Sequence, residues 1–202
     1  MNIPNTLTLI RILLVPLVVY MILTGQPHHA FWIFVAAGIT DGLDGFLAKR
    51  FDWKTELGAY LDPLADKLLL VSIYVVLGLV SAIPVWLVIA VVSRDFLIVG
   101  AVLLTWVLGR DLRVQPLMVS KANTLSQIVL AALVLGDISF SLGLGNIIAY
   151  AIWLTGGLTI VSAGAYMLSW VHDMAVYEPP PRRRPKASKR QRASHAGGAT
   201  GR

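Results

Sequence analysis

The sequence predicts an all-α integral membrane protein: a six-transmembrane-helix bundle with a polar site at its cytoplasmic side and a disordered basic C-terminal tail. Three observations carry this. Of 202 residues, 56% are hydrophobic and only 14% charged, too apolar for a soluble domain of this size. The apolar residues gather into six runs, each close to the roughly 20 residues a helix needs to cross a bilayer. The basic residues between those runs fall on alternate connections, as the positive-inside bias requires.

The first span covers about 7–24, from Leu7 through Val18, Val19, Tyr20 and Met21. Asn5, Thr8 and Arg11 precede or open it at three-residue spacing, so they share a helical face. They read either as a helix cap with an interfacial arginine, or as a polar face reaching a headgroup site. The second span, about 30–48, carries Asp41 and Asp44. The third, about 57–80, carries Asp62 and Asp66 in its first turns, where Pro63 is tolerated. The fourth, about 83–108, is interrupted by Ser93, Arg94 and Asp95. The fifth, about 117–136, opens on Ser120, Lys121, Asn123, Thr124 and Gln127, and the sixth runs about 145–172. Trp32, Trp53, Trp86, Trp106 and Trp170 fall near span ends, where amphipathic rings meet the headgroups.

Loop charge orients the bundle. The connections near 25–29, 80–83 and 137–145 hold no Lys or Arg, whereas those near 49–56 and 109–114 hold Lys49, Arg50, Lys54, Arg110 and Arg113. The latter side is expected to be cytoplasmic, with both termini. Residues 1–178 are expected to form the membrane domain, with nine basic and eleven acidic groups. Residues 179–202 carry eight cations and no acid behind Pro179, Pro180 and Pro181, and are expected to be a disordered polybasic cytoplasmic tail. The tail either only orients the protein or also lies on anionic lipid, at up to about 1 kcal/mol per near-surface cation. No cleavable signal peptide is read at the N-terminus. A multi-pass protein of the bacterial inner membrane is expected, with no nucleic-acid partner.

Ionisable residues inside membrane segments are costly, so the four aspartates need a compensating charge. Asp41 and Asp44 stand at i, i+3, and Asp62 and Asp66 at i, i+4, so each pair shares a helical face. Antiparallel neighbours would bring the pairs together at the cytoplasmic boundary. Four carboxylates suit hard cations such as Mg²⁺, Mn²⁺ or Ca²⁺. They are also enough for two metals about 3.5–4 Å apart, an arrangement that clamps a transferring phosphoryl group. Zinc is not expected: there are no cysteines, and His28 and His29 lie in a loop on the opposite side. Gly42, Gly45 and Gly58 leave room for a ligand or helix to approach. Lys49 and Arg50 follow the acids by one turn, placed to neutralise a pyrophosphate.

The pattern Asp41-x-x-Asp44-Gly45-x-x-Ala48-Lys49, then eight residues, then Gly58-x-x-x-Asp62-x-x-x-Asp66 resembles the signature of the CDP-alcohol phosphotransferases. It spans 26 residues at fixed spacings; the resemblance extends over about 1–172. The family usually has Arg where this chain has Lys49, so bidentate phosphate contact would fall to Arg50. The resemblance implies a six-helix homodimer that moves a phosphatidyl group from CDP-diacylglycerol to an alcohol, releasing CMP. It implies that Asp41, Asp44, Asp62 and Asp66 hold two divalent cations (Mg²⁺ or Mn²⁺), with Asp66 also the base for the acceptor hydroxyl. Gly45, Lys49 and Gly58 would line the nucleotide pocket. Pro4-Asn5-x-x-Thr8-x-x-Arg11 is similar to the start of bacterial phosphatidylglycerophosphate synthases and of CMP-forming cardiolipin synthases; it adds Asn5 to the CDP-lipid residues.

The remaining intramembrane charges bear on the acceptor. Arg94 reads either as half of a structural ion pair or, with Lys121, Arg110 and Arg113, as a pocket for an acceptor phosphate. Phosphatidylglycerol and glycerol 3-phosphate both carry one. Ser93-Arg94-Asp95 and Ser120-Lys121-x-Asn123-Thr124 look closer to the cardiolipin synthase branch, which favours phosphatidylglycerol; a lipid-open cleft would favour it too, and a closed polar pocket glycerol 3-phosphate. An ion transporter is the main alternative outside enzymology, since intramembrane acids often mark ion paths, but these acids cluster at one membrane face. A membrane scaffold would not require four acids at these spacings.

Overall fold

The computed structural model describes residues 3–51, 56–107 and 118–175. They form six α-helices: α1 Ile3–Leu23, α2 Pro27–Phe51, α3 Glu56–Leu79, α4 Val85–Val107, α5 Met118–Phe140 and α6 Gly145–Ala175. Each expected span corresponds to one helix. Several helices run past the apolar stretch that announces them. Lys49 and Arg50 stay helical at the end of α2, and α5 continues to Phe140. A helix ends where its last carbonyls find a cap, not where its hydrophobicity stops.

The caps are visible at two turns. Gly25 ends α1 at φ 70°; its amide reaches Ile22 O, and the Gln26 amide donates to Met21 O at 2.8 Å. That pair of bonds needs a left-handed residue, which Gly supplies without strain. After α5, the Asp137 carboxylate accepts from the Leu144 amide at 2.9 Å. These tight connections make α1–α2, α3–α4 and α5–α6 packed pairs, and α1 also packs on α3, α2 on α5, and α4 on α6.

Polarity divides the bundle along its length. The apolar core comprises Val18, Ile22, Phe34, Ile73, Leu77, Leu87, Val91, Leu130 and Val134 among others. All of these lie in the helix halves nearest the three tight turns. The buried polar residues Arg11, Arg94, Asp95, Asn123, Gln127, Thr159 and Ser162 lie toward the middle and the opposite end. Leu13, Leu79, Phe96, Trp153 and Leu168 each remain at least 70% exposed, an outward apolar surface of the kind that marks a membrane face. Among the described residues, Met118–Phe140 and Gly145–Val171 are long and apolar enough to cross a membrane, and Leu9–Leu23 and Lys67–Leu79 are shorter apolar stretches.

Candidate functional site

The acids lie toward the end of α2 and in the early part of α3. Asp41 and Asp44 stand ten and seven residues before the end of α2 at Phe51. Asp62 and Asp66 stand six and ten residues after the start of α3 at Glu56. Asp62 and Asp66 thus belong to the early turns of α3. At 1.5 Å per residue, the two pairs lie at matching depths of about 9–15 Å from the same end of the bundle. Gly45, Lys49 and Arg50 follow on α2, Gly58 precedes on α3, and Asn5 lies in the first turn of α1. The side chains of these residues lie outside the described part, as do Arg110 and Arg113 altogether. Among the described residues no cluster of three His, Cys, Asp or Glu is found.

Arg94 is the centre of what is described. It is 2% exposed on α4. Its Nη1 donates to Asp95 Oδ1 at 2.5 Å, and its Nε and Nη2 donate to Ser162 Oγ on α6 at 3.3 and 3.0 Å. Nη2 also meets Ser120 Oγ on α5. Of the two sequence readings of Arg94, the ion pair with Asp95 is formed; Ser120, the neighbour of Lys121, reaches Arg94, while Lys121 is exposed. The second cation is Lys67 on α3, which donates to the same Asp95 Oδ1 at 2.7 Å. Lys67 follows Asp66 directly, and the sequence reading passes over it. Asp95 thereby joins α3 to α4, and Arg94 carries the connection to α5 and α6.

This cluster holds two cations and one carboxylate, an excess of one positive charge among the described residues. A charge that deep persists only with strong partners, and the excess makes the place receptive to an anion. Polar residues continue along the α5–α6 seam. Thr159 donates to Asn123 Oδ1 at 2.8 Å, and Tyr74 donates to the Gln127 carbonyl at 3.1 Å.

Lys67 and Asp95 line a small apolar groove of about 190 Å³ between α3 and α4, and two larger grooves lie nearby. One, of about 530 Å³ between α4 and α6, has Arg94 and Ser93 at one end and walls of Phe96, Leu97, Leu104, Met167 and Trp170. The other, of about 350 Å³, is bounded by α1, α2, α3 and α5. Arg11 and Thr124 stand at its polar end, and Phe34, Leu70, Ile128 and Ala132 continue it toward the apolar core. Arg11 is 1% exposed, so it points into the bundle and not to the interface.

The sequence profile of the CDP-alcohol phosphatidyltransferases matches residues 1–161. The chain belongs to that family. It is 33% identical over 185 residues to the CDP-diacylglycerol–glycerol-3-phosphate 3-phosphatidyltransferase of Bacillus subtilis, covering 82% of this chain and 93% of the relative. It is 35% identical over 184 residues to the CMP-forming cardiolipin synthase of Homo sapiens, covering 82% of this chain and 60% of the relative. The rat cardiolipin synthase is 38% identical over 149 residues, 65% of this chain and 49% of that protein. The chain thus spans about half to three-fifths of the cardiolipin synthases it matches. Membership places it among phospholipid-synthesis transferases and leaves the acceptor open between the two kinds of relative.

Proposed function

We propose that this protein transfers the phosphatidyl group of CDP-diacylglycerol to phosphatidylglycerol, releasing CMP and forming cardiolipin. The observation that carries the acceptor is Arg94, a buried cation at the end of an apolar groove of about 530 Å³. A phosphate on Arg94 with acyl chains left in the bilayer uses both features. The donor is supported by the second groove, whose polar end at Arg11 and apolar continuation suit a lipid phosphate and one chain.

In this reading all six helices cross the membrane of a bacterial cell, with both termini cytoplasmic and the acids on the cytoplasmic side, and the protein works as a homodimer. Asp41, Asp44, Asp62 and Asp66 hold two divalent cations, Mg²⁺ or Mn²⁺. Their carboxylates suit such hard ions, and their matching depths on α2 and α3 support a shared site. When bound, the cations offset the pyrophosphate charge and stabilise departing CMP. Asn5, Gly45, Lys49, Arg50 and Gly58 receive the CDP moiety. The acceptor hydroxyl oxygen bonds to the phosphatidyl phosphorus, the bond from that phosphorus to the pyrophosphate bridging oxygen breaks, and the hydroxyl proton passes to the Asp66 carboxylate.

Glycerol 3-phosphate is the second reading, favoured by the Bacillus subtilis relative, which is matched over 93% of its length. The test supplies purified protein with CDP-diacylglycerol, Mg²⁺ and either phosphatidylglycerol or glycerol 3-phosphate, then identifies the lipid formed. Cardiolipin supports the proposal; phosphatidylglycerophosphate alone selects the second reading. CMP release with neither sinks both.

A further inference from the structure

We propose that Ser188 and Ser194 are phosphorylation sites, and that their phosphates release residues 179–202 from an anionic membrane surface. This rests on the reading that the tail is cytoplasmic, where nucleoside triphosphate is available, and holds for either acceptor considered above.

The tail repeats itself. Arg184-Pro185-Lys186-Ala187-Ser188 and Arg190-Gln191-Arg192-Ala193-Ser194 share one pattern: an arginine, any residue, a cation, alanine, serine. These residues lie outside the described part, and the pattern is read from the sequence. Attachment to anionic lipid needs cations in number, not at a fixed distance from a hydroxyl. Here both serines of the tail have cations two and four residues before them, whereas Thr200 follows Gly197, Gly198 and Ala199. Charge placed at set positions before a serine is what a protein kinase with an acidic peptide groove selects. The step moves one phosphoryl group. The serine Oγ bonds to the γ-phosphorus of the triphosphate, and the bond from that phosphorus to its bridging oxygen breaks. The nucleoside diphosphate leaves with that electron pair, and the hydroxyl proton passes to the kinase's base. Nothing is oxidised or reduced.

The structure places this pattern beside the membrane. α6 keeps Leu168 and Val171 exposed, an apolar face that reaches to about one turn from the helix end at Ala175. Arg182 follows seven residues later, so even a fully extended chain holds it within about 25 Å of that end. A segment tethered so closely meets the surface as an intramolecular partner. Eight cations and no acid are each attracted to anionic lipid by up to about 1 kcal/mol. A phosphoserine carries a charge of about −1.5 to −2, so two of them cancel about three to four of the eight. At 1.4 kcal/mol per tenfold, the partition of the tail onto the surface falls by at least about a hundredfold. Ser188 stands between Lys186 and Lys189, and Ser194 behind Arg190 and Arg192, so the new charge falls among the cations it offsets. Either lipid product considered above is anionic, so the surface that holds the tail is one the reaction itself supplies.

The experiment uses the full chain. It has no cysteine, so Ala199→Cys carries a single fluorophore, and the vesicles carry a lipid-bound quencher. Phosphoserine is placed at both positions during translation, and Ser188→Ala with Ser194→Ala gives the control that cannot be modified. CMP release in neutral detergent checks that each form is folded. On vesicles containing phosphatidylglycerol at low salt, the unmodified chain and the alanine control should be quenched. The doubly phosphorylated chain should partition at least about a hundredfold more weakly, down to the level seen on neutral vesicles, and high salt should remove the difference. Equal quenching of the phosphorylated and unmodified chains would overturn the release. Mass spectrometry of the protein from its own cells, growing and stationary, should find phosphate on Ser188 or Ser194; phosphate on neither would overturn the sites. A membrane-impermeant thiol reagent on intact cells tests the cytoplasmic reading separately. The introduced thiol should react only after the cells are opened; reaction from outside refutes that reading and takes the proposal with it, whatever the vesicles show.

Discussion

At Asp95 a single carboxylate oxygen takes both Lys67 and Arg94, so the members of this cluster respond unequally to removal. Asp95→Asn leaves Arg94 buried without its counter-charge, and breaking a buried pair this way costs about 3–5 kcal/mol. Lys67→Met leaves the Arg94–Asp95 pair intact; because Lys67 is 33% exposed, its loss should cost less than about 1 kcal/mol. Chemical unfolding in detergent measures both, and equal losses would show that the charges are not distributed as described. Asp66→Asn is expected to abolish CMP release while CDP-diacylglycerol binding falls less, since an amide accepts no proton at neutral pH; full turnover in that variant removes Asp66 from the role of base. The Arg94–Asp95 pair was legible in the sequence because two charges interrupt an apolar run. Lys67 was not, because it stands beside Asp66 and was absorbed into the acidic motif. The available signal was that a cation in the third span needs an acid at its own depth, and Asp95 supplies one on the next helix. The serines that complete the Arg94 shell depend on the register of α5 and α6, which periodicity does not set.

Helix contacts at the short-loop end are tight enough to make some glycines sensitive and others indifferent. A Cβ on Gly78 would come within 2.7 Å of Val88 Cγ2, where α3 packs on α4. Val88 is β-branched and holds one strongly preferred rotamer in a helix, so it yields poorly. Gly78→Ala should therefore destabilise by about 1–3 kcal/mol, the usual range for overpacking. At Gly164 on α6 a Cβ meets nothing within 4 Å, and Gly164→Ala should be neutral or stabilising by up to about 1 kcal/mol through helix propensity. Thermal unfolding of the two variants side by side checks this; matched behaviour would mean that α3 and α4 are not packed this closely. The existence and order of six helices could be read from hydropathy alone. Their ends could not, because Gly25 caps through its backbone geometry and Asp137 through a carboxylate that reaches seven residues along the chain, and because Lys49 and Arg50 extend α2 past its apolar part.

Over the whole molecule, the apolar core fills the end of the bundle with tight turns, and the buried polar groups collect away from it. The four aspartates stand at the polar end, at matching depths on α2 and α3; that end is also the one where the basic connections lie. Residues 179–202 follow α6 in the sequence, carry eight cations and no acid, and lie outside the described residues. The tail is made of Arg, Lys, Pro, Ser, Gly and Ala for the most part, too polar to bury a core, so catalysis should not depend on it. A chain truncated after Glu178 is expected to keep turnover in neutral detergent within about twofold, as removal of a segment with no core-forming residues should. Lipid attachment should respond differently. Each near-surface cation contributes up to about 1 kcal/mol on an anionic membrane, and salt screens the attraction. A peptide of residues 179–202 should therefore bind vesicles containing phosphatidylglycerol at low salt, bind neutral vesicles weakly, and lose the difference at high salt. Complete loss of turnover in the truncated chain would place the tail in the site or the fold. Equal binding of the peptide to both vesicle types would leave its charge without a membrane role.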